Sequence, residues 1–351
     1  MLRGTSTLSI AEARELWDPA GPYLNTASYG LPPRPACEAL EAALEDWRHG
    51  RTSWEHWNDA TERAREAFGR LVGVPAERVA TGSTVSTFVG VLAAAVPDGA
   101  RVVVPEIDFA SLLFPFLVHE RRLDVVTVPL ARLADAVDEL TDVVALSAVQ
   151  SSNGEVADLE AVLRAAAANE ALTIVDGTQA CGWLPLDASR VDALVCGTYK
   201  WLMSPRGTAF LVVSDRLRKR TQPLLAGWYA GDDVHSSYYG APLRIAPTAR
   251  RFDTSPAWFS WVATAPALET LLAVGVDAVR DHDVWLANRF RVGLDLPPSN
   301  SAIVSVDVPG ASDKLAAAGI LASVRAGSLR ASFHLYNTDD DVDAALAALL
   351  G

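Results

Sequence analysis

Between Arg101 and Val213 six short apolar runs follow one another: Arg101–Val104, Asp124–Val128, Asp142–Val149, Leu172–Val175, Ala193–Cys196 and Ala209–Val213. Most are rich in β-branched residues and apolar at successive positions, the pattern of strands buried on both faces. Alanine-rich helical patterns such as Leu159–Ala168 separate some of them. Strands alternating with helices predict an α/β fold with a largely parallel, doubly covered sheet. The last run follows its predecessor after a short link containing Gly and Pro, which leaves an antiparallel pairing open.

Pro35–Trp47 and Asn58–Leu71 carry apolar residues at helical spacing, the second ending at Val74-Pro75. After Ser214 the texture changes, and Gln222–Ile245, rich in Gly, Trp and Tyr, reads as a long functional loop. A helix over Ser260–Val274 follows. Then Ser301–Val308, Lys314–Ala318, Ser328–His334 and Asp339–Leu350 read as strand, helix, strand, helix. At 351 residues the chain has room for about two domains. The expected division is 1–265, an N-terminal segment with the large domain, and 266–351, a small C-terminal α+β domain.

A net charge of −13 without a basic stripe argues against nucleic acid as a partner. The stretch Met1–Ala20 is polar, and no segment reaches membrane-spanning length free of charge or Pro, so a soluble, cytoplasmic protein is expected. Cys37, Cys181 and Cys196 form neither a disulfide framework nor a CxxC site, and the six histidines lack HxH or HExxH spacing, so no metal is expected. Of thirty basic residues only Lys200, Lys219 and Lys314 are lysines, so lysine chemistry has three candidates.

In α/β sheets ligands sit beyond the carboxyl ends of the strands. There, Leu172–Val175 is followed by Asp176-Gly177-Thr178-Gln179, and Ala193–Cys196 by Gly197-Thr198-Tyr199-Lys200-Trp201. A lysine in a dry site can lose its proton and form a Schiff base, and an acid paired with a pyridine nitrogen turns that ring into an electron sink. Pyridoxal phosphate requires both groups. The plainer reading has Asp176 capping a turn and Lys200 in solvent. Ala80-Thr81-Gly82-Ser83-Thr84-Val85-Ser86 opens an apolar helix over Val85–Val96, which suits a phosphate at a helix N-terminus or an ordinary Ser/Thr cap.

The segment Val175–Gly207 (VDGTQACG … CGTYKWLMSPRG) resembles the class V aminotransferases, whose relatives include cysteine desulfurases, kynureninases and isopenicillin N epimerase-like enzymes. Tyr23–Gly30 (YLNTASYG), Thr81–Thr84, Arg251–Pro256 (RFDTSP) and Arg330–Thr338 (RASFHLYNT) extend the resemblance across nearly the whole chain, in the family order. It implies a fold type I pyridoxal-phosphate-dependent transferase, with a mostly parallel seven-stranded sheet in the large domain and a small C-terminal α+β domain. It also implies that Lys200 holds the cofactor, Asp176 pairs with the pyridine nitrogen and Gln179 reaches the ring hydroxyl. Ser83, Thr84 and Tyr199 would bind the phosphate, and Phe109 would stack on the ring. Trp228 and Ser255 would reach the cofactor phosphate of a neighbouring subunit, making a homodimer with shared active sites. Arg330 would hold the substrate carboxylate, with Asn25 and Ser28 lining the substrate pocket. One of Gln150, Ser151 and Asn153 would touch the ring.

One departure matters. Desulfurases of this family carry a reactive cysteine on a loop shortly before the carboxylate-binding arginine, whereas Val324–Arg330 runs straight through with no loop and no cysteine. Cys181 and Cys196 read as packed residues. The implied function is a pyridoxal-phosphate enzyme acting on an amino acid through an external aldimine and a Cα carbanion, of aminotransferase type. A C–S β-lyase or desulfurase-like enzyme and an epimerase are the alternatives, with a non-catalytic fold relative behind them. The lack of GxGxxG and GxxxxGK[ST] counts against a nucleotide enzyme. The aromatics Trp54, Trp57, Trp228, Tyr229, Tyr238 and Tyr239 either shape a pocket or pack a dimer interface.

Overall fold

The N-terminal segment is helical, as its apolar spacing predicts. Helix α1 (Ile10–Arg14) starts at a Ser9–Glu12 capping box, and α2 (Arg34–Arg48) has Pro35 in its first turn. Helix α3 (Trp54–Leu71) buries Ala60, Ala64, Ala67 and Phe68, one stripe of its surface. The computed structural model describes residues 7–119 and 121–351, so the first six residues of the polar stretch Met1–Ala20 lie outside the described residues.

The alternating region follows. Its elements are β1 (Val79–Gly82), α4 (Val85–Ala94), β2 (Arg101–Pro105), α5 (Ala110–Leu117), β3 (Asp124–Val128), β4 (Thr141–Ser147), α6 (Leu159–Ala168), β5 (Leu172–Asp176), β6 (Ala193–Gly197), β7 (Ala209–Val213) and α7 (Asp215–Arg220). The seven strands form one sheet in the order β1-β7-β6-β5-β4-β2-β3. Strands β2 to β6 run parallel, and β7 is antiparallel to both β6 and β1. Only β7 is therefore reversed, and the carboxyl ends of β1, β2, β4, β5 and β6 share one edge. Successive residues serve opposite cores: Val144, Leu146, Val175, Leu194 and Cys196 on one face, Val143, Ala145, Ile174, Ala193 and Val195 on the other.

Strand β1 is the seventh strand, which none of the six apolar runs includes. Its four residues end in Gly82 and pair with β7, far along the chain. The segment 222–248 holds short 3-10 turns and no regular helix or strand, as its composition suggests.

Helix α8 (Trp258–Val274) packs on α2 and α3 and meets α9 (Val276–Gly293) at an 83° bend. The sequence reading contains α8 but not α9. The expected division after residue 265 falls within α8. Strand β8 (Ile303–Val306), helix α10 (Ala311–Ala317), strands β9 (Ser323–Arg325) and β10 (Ser328–Ser332), and helix α11 (Asp339–Leu350) complete the chain. Their antiparallel sheet, in the order β8-β10-β9, shares a separate apolar cluster with α9, α10 and α11. The segment read as running straight to Arg330 is instead a tight hairpin: β9 and β10 are joined by Ala326 and Gly327, with φ of 49° and 87°. Two positive φ values in a two-residue loop suit the twist of an antiparallel pair, and glycine adopts the second without strain. No single helix among the described residues is long and apolar enough to cross a membrane.

Candidate active site

Beyond the shared strand edge lies a cavity of about 110 Å³, and Ser83, Thr84, Phe109, Asp176, Gln179 and Lys200 all line it. These residues come from four separate segments, and the parallel topology gathers them. Tyr199 and Ser151 line it too.

Lys200 follows β6 and is buried. Burial lowers its pKa to about 8; the charges of Arg330 and Arg325 act in the same direction and Asp176 opposes them. Its Nζ lies 5.2 Å from the centre of the Phe109 ring. Behind it, Gly30 donates its N–H to the Tyr199 carbonyl at 2.9 Å. A Cβ on Gly30 would stand 1.9 Å from the Lys200 carbonyl oxygen, so only glycine lets the N-terminal segment close against the lysine turn.

Asp176 ends β5. Burial pushes its carboxyl up to about 6, even though the Thr178 N–H donates to Oδ1 at 2.8 Å. Phe109 is 46% exposed, an aromatic ring beside the cavity rather than a core residue. Asp108 fixes it: one carboxylate oxygen accepts the Phe109 N–H at 2.6 Å, and the carboxylate also accepts the Ser147 N–H and hydroxyl and the Gln150 amide. Sequence reasoning passed over Asp108, whose part is visible only once β4 stands beside the Asp108 turn.

Thr84 caps α4, its hydroxyl accepting the Thr87 N–H at 3.2 Å. The first turn of a helix leaves N–H groups without intrahelical partners and carries positive dipole, so Ser83 to Ser86 suit an anion. Arg206 lines the same cavity, its guanidinium 4.7 Å from the Tyr199 ring centre, and the sequence reading did not single it out. Gln179 is engaged with protein: Nε2 donates to the Ala27 carbonyl and the Ser151 hydroxyl, and Oε1 accepts from the Trp201 indole. Of Gln150, Ser151 and Asn153, Ser151 is the one that lines the cavity.

Arg330, Asn25 and Ser28 lie outside this lining; Arg330 bonds to both Ser151 and Ser28, and the Asn25 carbonyl accepts the Ser28 N–H at 2.9 Å. Arg330, on β10, is 1% exposed. Its Nη1 donates to the Ser151 carbonyl and hydroxyl and its Nη2 to the Ser28 hydroxyl at 2.7 Å. Among the described residues its buried Nε has no partner, and neither does Oδ1 of Asn25. Burial and the neighbouring Arg325 charge push the guanidinium down to about 10. Trp228 and Ser255 line no part of this cavity. Trp228 packs against Trp54 and Tyr238 at 5.3 and 5.2 Å, and Ser255 is exposed. Cys181 and Cys196 are buried, and burial raises the Cys196 thiol well above its usual range.

The donor set has definite needs. A buried carboxyl pushed toward neutrality calls for a cation, a buried amine for an electrophile, a helix N-terminus for an anion, and an exposed ring beside the gap for a flat partner. A pyridine ring bearing an aldehyde and a phosphate, as in pyridoxal phosphate, fits all four.

Known proteins resemble this chain in sequence and fold. The Aminotransferase class-V family profile matches residues 46–307. The Bacillus subtilis (strain 168) protein named uncharacterized aminotransferase YcbU is 27% identical over 335 residues, which cover 89% of each chain. The kynureninase of Deinococcus radiodurans is 31% identical over 289 residues, 76% of this chain and 70% of its own. Among solved structures, the cystine C–S lyase C-DES, in complex with cysteine persulfide, superposes with a TM-score of 0.83 at 21% identity, covering 93% of this chain and 96% of that one. The last likeness speaks for the fold, and the profile and the sequence relatives speak for descent: the chain belongs to the class-V aminotransferase family.

Proposed function

We propose that this protein is a pyridoxal-phosphate-dependent enzyme that acts on an amino acid as an aminotransferase. One observation supports it above the others: Lys200 and Asp176 line a single cavity with opposite pKa displacements, the amine lowered to about 8 and the carboxyl raised to about 6. Environments that push titratable groups apart in this way are what acid–base chemistry near neutral pH needs. Bound pyridoxal phosphate supplies an aldehyde for an amine and a protonated ring that accepts charge from the substrate's Cα.

In this reading Lys200 would hold the cofactor's aldehyde carbon, and its amine would take the proton from the substrate's Cα. Asp176 would pair with the pyridine nitrogen and keep it protonated, and Phe109 would stack against the ring and exclude water. Ser83, Thr84 and Tyr199 take the phosphate at the start of α4. Gln179, whose amide is bonded to Ala27, Ser151 and Trp201, would face the ring hydroxyl. Arg330 takes the substrate carboxylate on its guanidinium, with Asn25 and Ser28 beside it.

A C–S β-lyase is the second reading. It is favoured by the tight β9–β10 hairpin, which presents no cysteine, and by the burial of Cys181 and Cys196, since β-elimination needs no protein thiol. We further propose a cytoplasmic homodimer in which Trp228 and Ser255 serve the partner's site. Support comes from the aromatic cluster around Trp54, Trp228 and Tyr238, and from the exposed Tyr239 and Leu243 nearby in sequence. A two-unit organisation is supported by the separate apolar cluster of the C-terminal sheet.

Product analysis tests the reading. Purified enzyme is given an amino-acid panel with and without a 2-oxo acid acceptor. A new amino acid that forms only with the acceptor is the expected result. Pyruvate and sulfide released without acceptor establish the lyase instead, and a D-isomer alone establishes an epimerase. An enzyme that leaves every amino acid unchanged contradicts all three.

A further inference from the structure

The hairpin that carries Arg330 carries a second arginine toward the same hydroxyl. Arg325 pairs with Ser328, and Arg330 pairs with Ser323. Residues directly opposite in an antiparallel pair share a face, so Arg325 and Arg330 are diagonal neighbours on one face of the hairpin. Arg325 donates through Nη2 to the Ser28 hydroxyl oxygen at 3.1 Å, and Arg330 Nη2 donates to the same oxygen at 2.7 Å.

This arrangement is unbalanced. Like charges at neighbouring sheet positions destabilise the pair, and neither arginine has an acidic ion-pair partner among the described residues, in a chain with thirteen more acidic than basic residues. A serine oxygen that accepts two N–H bonds keeps its own hydrogen to donate. The Ser28 hydroxyl hydrogen and the orphaned Nε of buried Arg330 are thus two donors with no acceptor among the described residues. Both guanidinium charges also act on Lys200, which places them within electrostatic reach of the chemistry.

One carboxylate accounts for Arg330. Arg325 exceeds that need. We infer that Arg325, with the Ser28 hydroxyl, is a second anion subsite, and that the substrate is an amino acid with a short acidic side chain. The inference rests on the function proposed above: Arg330 takes the α-carboxylate, and Arg325 takes the carboxylate, or an equivalent anionic group, on the side chain. Arg325 is exposed on the hairpin, so it can meet the second anion at the mouth of the site.

The test is binding of unreactive acids to the cofactor-loaded enzyme, followed by calorimetry. Glutarate is compared with valerate, and succinate with butyrate; each pair has the same number of carbons but two or one carboxylates. The wild type is expected to bind the dicarboxylate roughly tenfold or more tightly, the factor that ~1.4 kcal/mol represents. Arg325→Met should reduce glutarate to the level of valerate and leave valerate unchanged, with the urea midpoint kept. Arg330→Met should weaken both acids. Equal wild-type affinity for the two acids, or no binding of either, overturns the inference. An Arg325→Met loss shared equally by glutarate and valerate also overturns it, because both arginines would then hold one carboxylate. A protein that takes up no pyridoxal phosphate fails the functional reading itself, whereas loaded enzyme that does not discriminate fails only this inference.

Discussion

Asp176→Asn should make the cofactor-free protein more stable while removing its ability to use the cofactor. In the structure the Asp176 carboxyl is buried at the end of β5, and its pKa rises from 3.8 to about 6. The folded state therefore holds the proton more tightly than the unfolded chain. Stability from this group is fully present below about pH 4 and is lost as pH rises through about 6. A shift of about two units corresponds to roughly 3 kcal/mol against the cofactor-free fold at pH 7 to 8. Asparagine carries no charge, and its Oδ1 can still accept the Thr178 N–H. The variant should match wild type near pH 4 and exceed it by roughly 3 kcal/mol above pH 7, about 4 °C in Tm for a chain this long. Urea unfolding of both cofactor-free proteins from pH 4 to 8 measures the difference. Saturating pyridoxal phosphate should then stabilise wild type more than the variant, because the ring cation relieves the buried charge. A difference that stays constant across pH, or a variant no more stable than wild type at pH 8, refutes the argument.

Lys200 predicts a second pH dependence: because burial lowers its amine to about 8, the rate at which pyridoxal phosphate reattaches to cofactor-free enzyme should rise with pH through about 8, as followed by stopped-flow absorbance. Asp283 on α9 bonds Nδ1 of buried His334 at 2.8 Å, while Nε2 faces the Trp201 carbonyl beside the lysine. Removing one member of such a buried pair costs about 3–5 kcal/mol, so Asp283→Ala should lower the urea unfolding free energy by that amount. Alkylation of the native enzyme with iodoacetamide should modify at most Cys37 and leave turnover unchanged; loss of activity would show that a thiol takes part.

Much of this architecture is readable in the chain. The apolar runs from Arg101 to Val213 coincide within a few residues with six strands, because burial on both sheet faces leaves little freedom of composition. Strand β1 escapes because four residues ending in Gly82 gain their identity only from pairing with β7. Helix α9 was legible in principle: Val279, Leu286, Ala287 and Phe290 recur at helical spacing and are buried, but the charged residues between them mask the pattern. At the site, Lys200, Asp176, Ser83, Thr84, Phe109 and Gln179 follow or adjoin strand ends, where topology makes position predictable. The meeting of Arg330 with Ser28 and Ser151 was not legible as a contact. It depends on how the C-terminal hairpin docks against the N-terminal segment, where Asn25 bridges to Ser332. Asp108 and Arg325 act through neighbours that only the folded chain brings near.

The central claim is that Lys200 is the residue that holds pyridoxal phosphate, and borohydride reduction followed by peptide mass spectrometry tests it most directly. Wild-type enzyme loaded with the cofactor should show a visible absorbance band that borohydride abolishes, leaving the reduced cofactor's mass on the peptide containing Lys200. Lys200→Ala should show neither the band nor the adduct. A colourless protein, or an adduct found on Lys219 or Lys314 instead, would contradict the account.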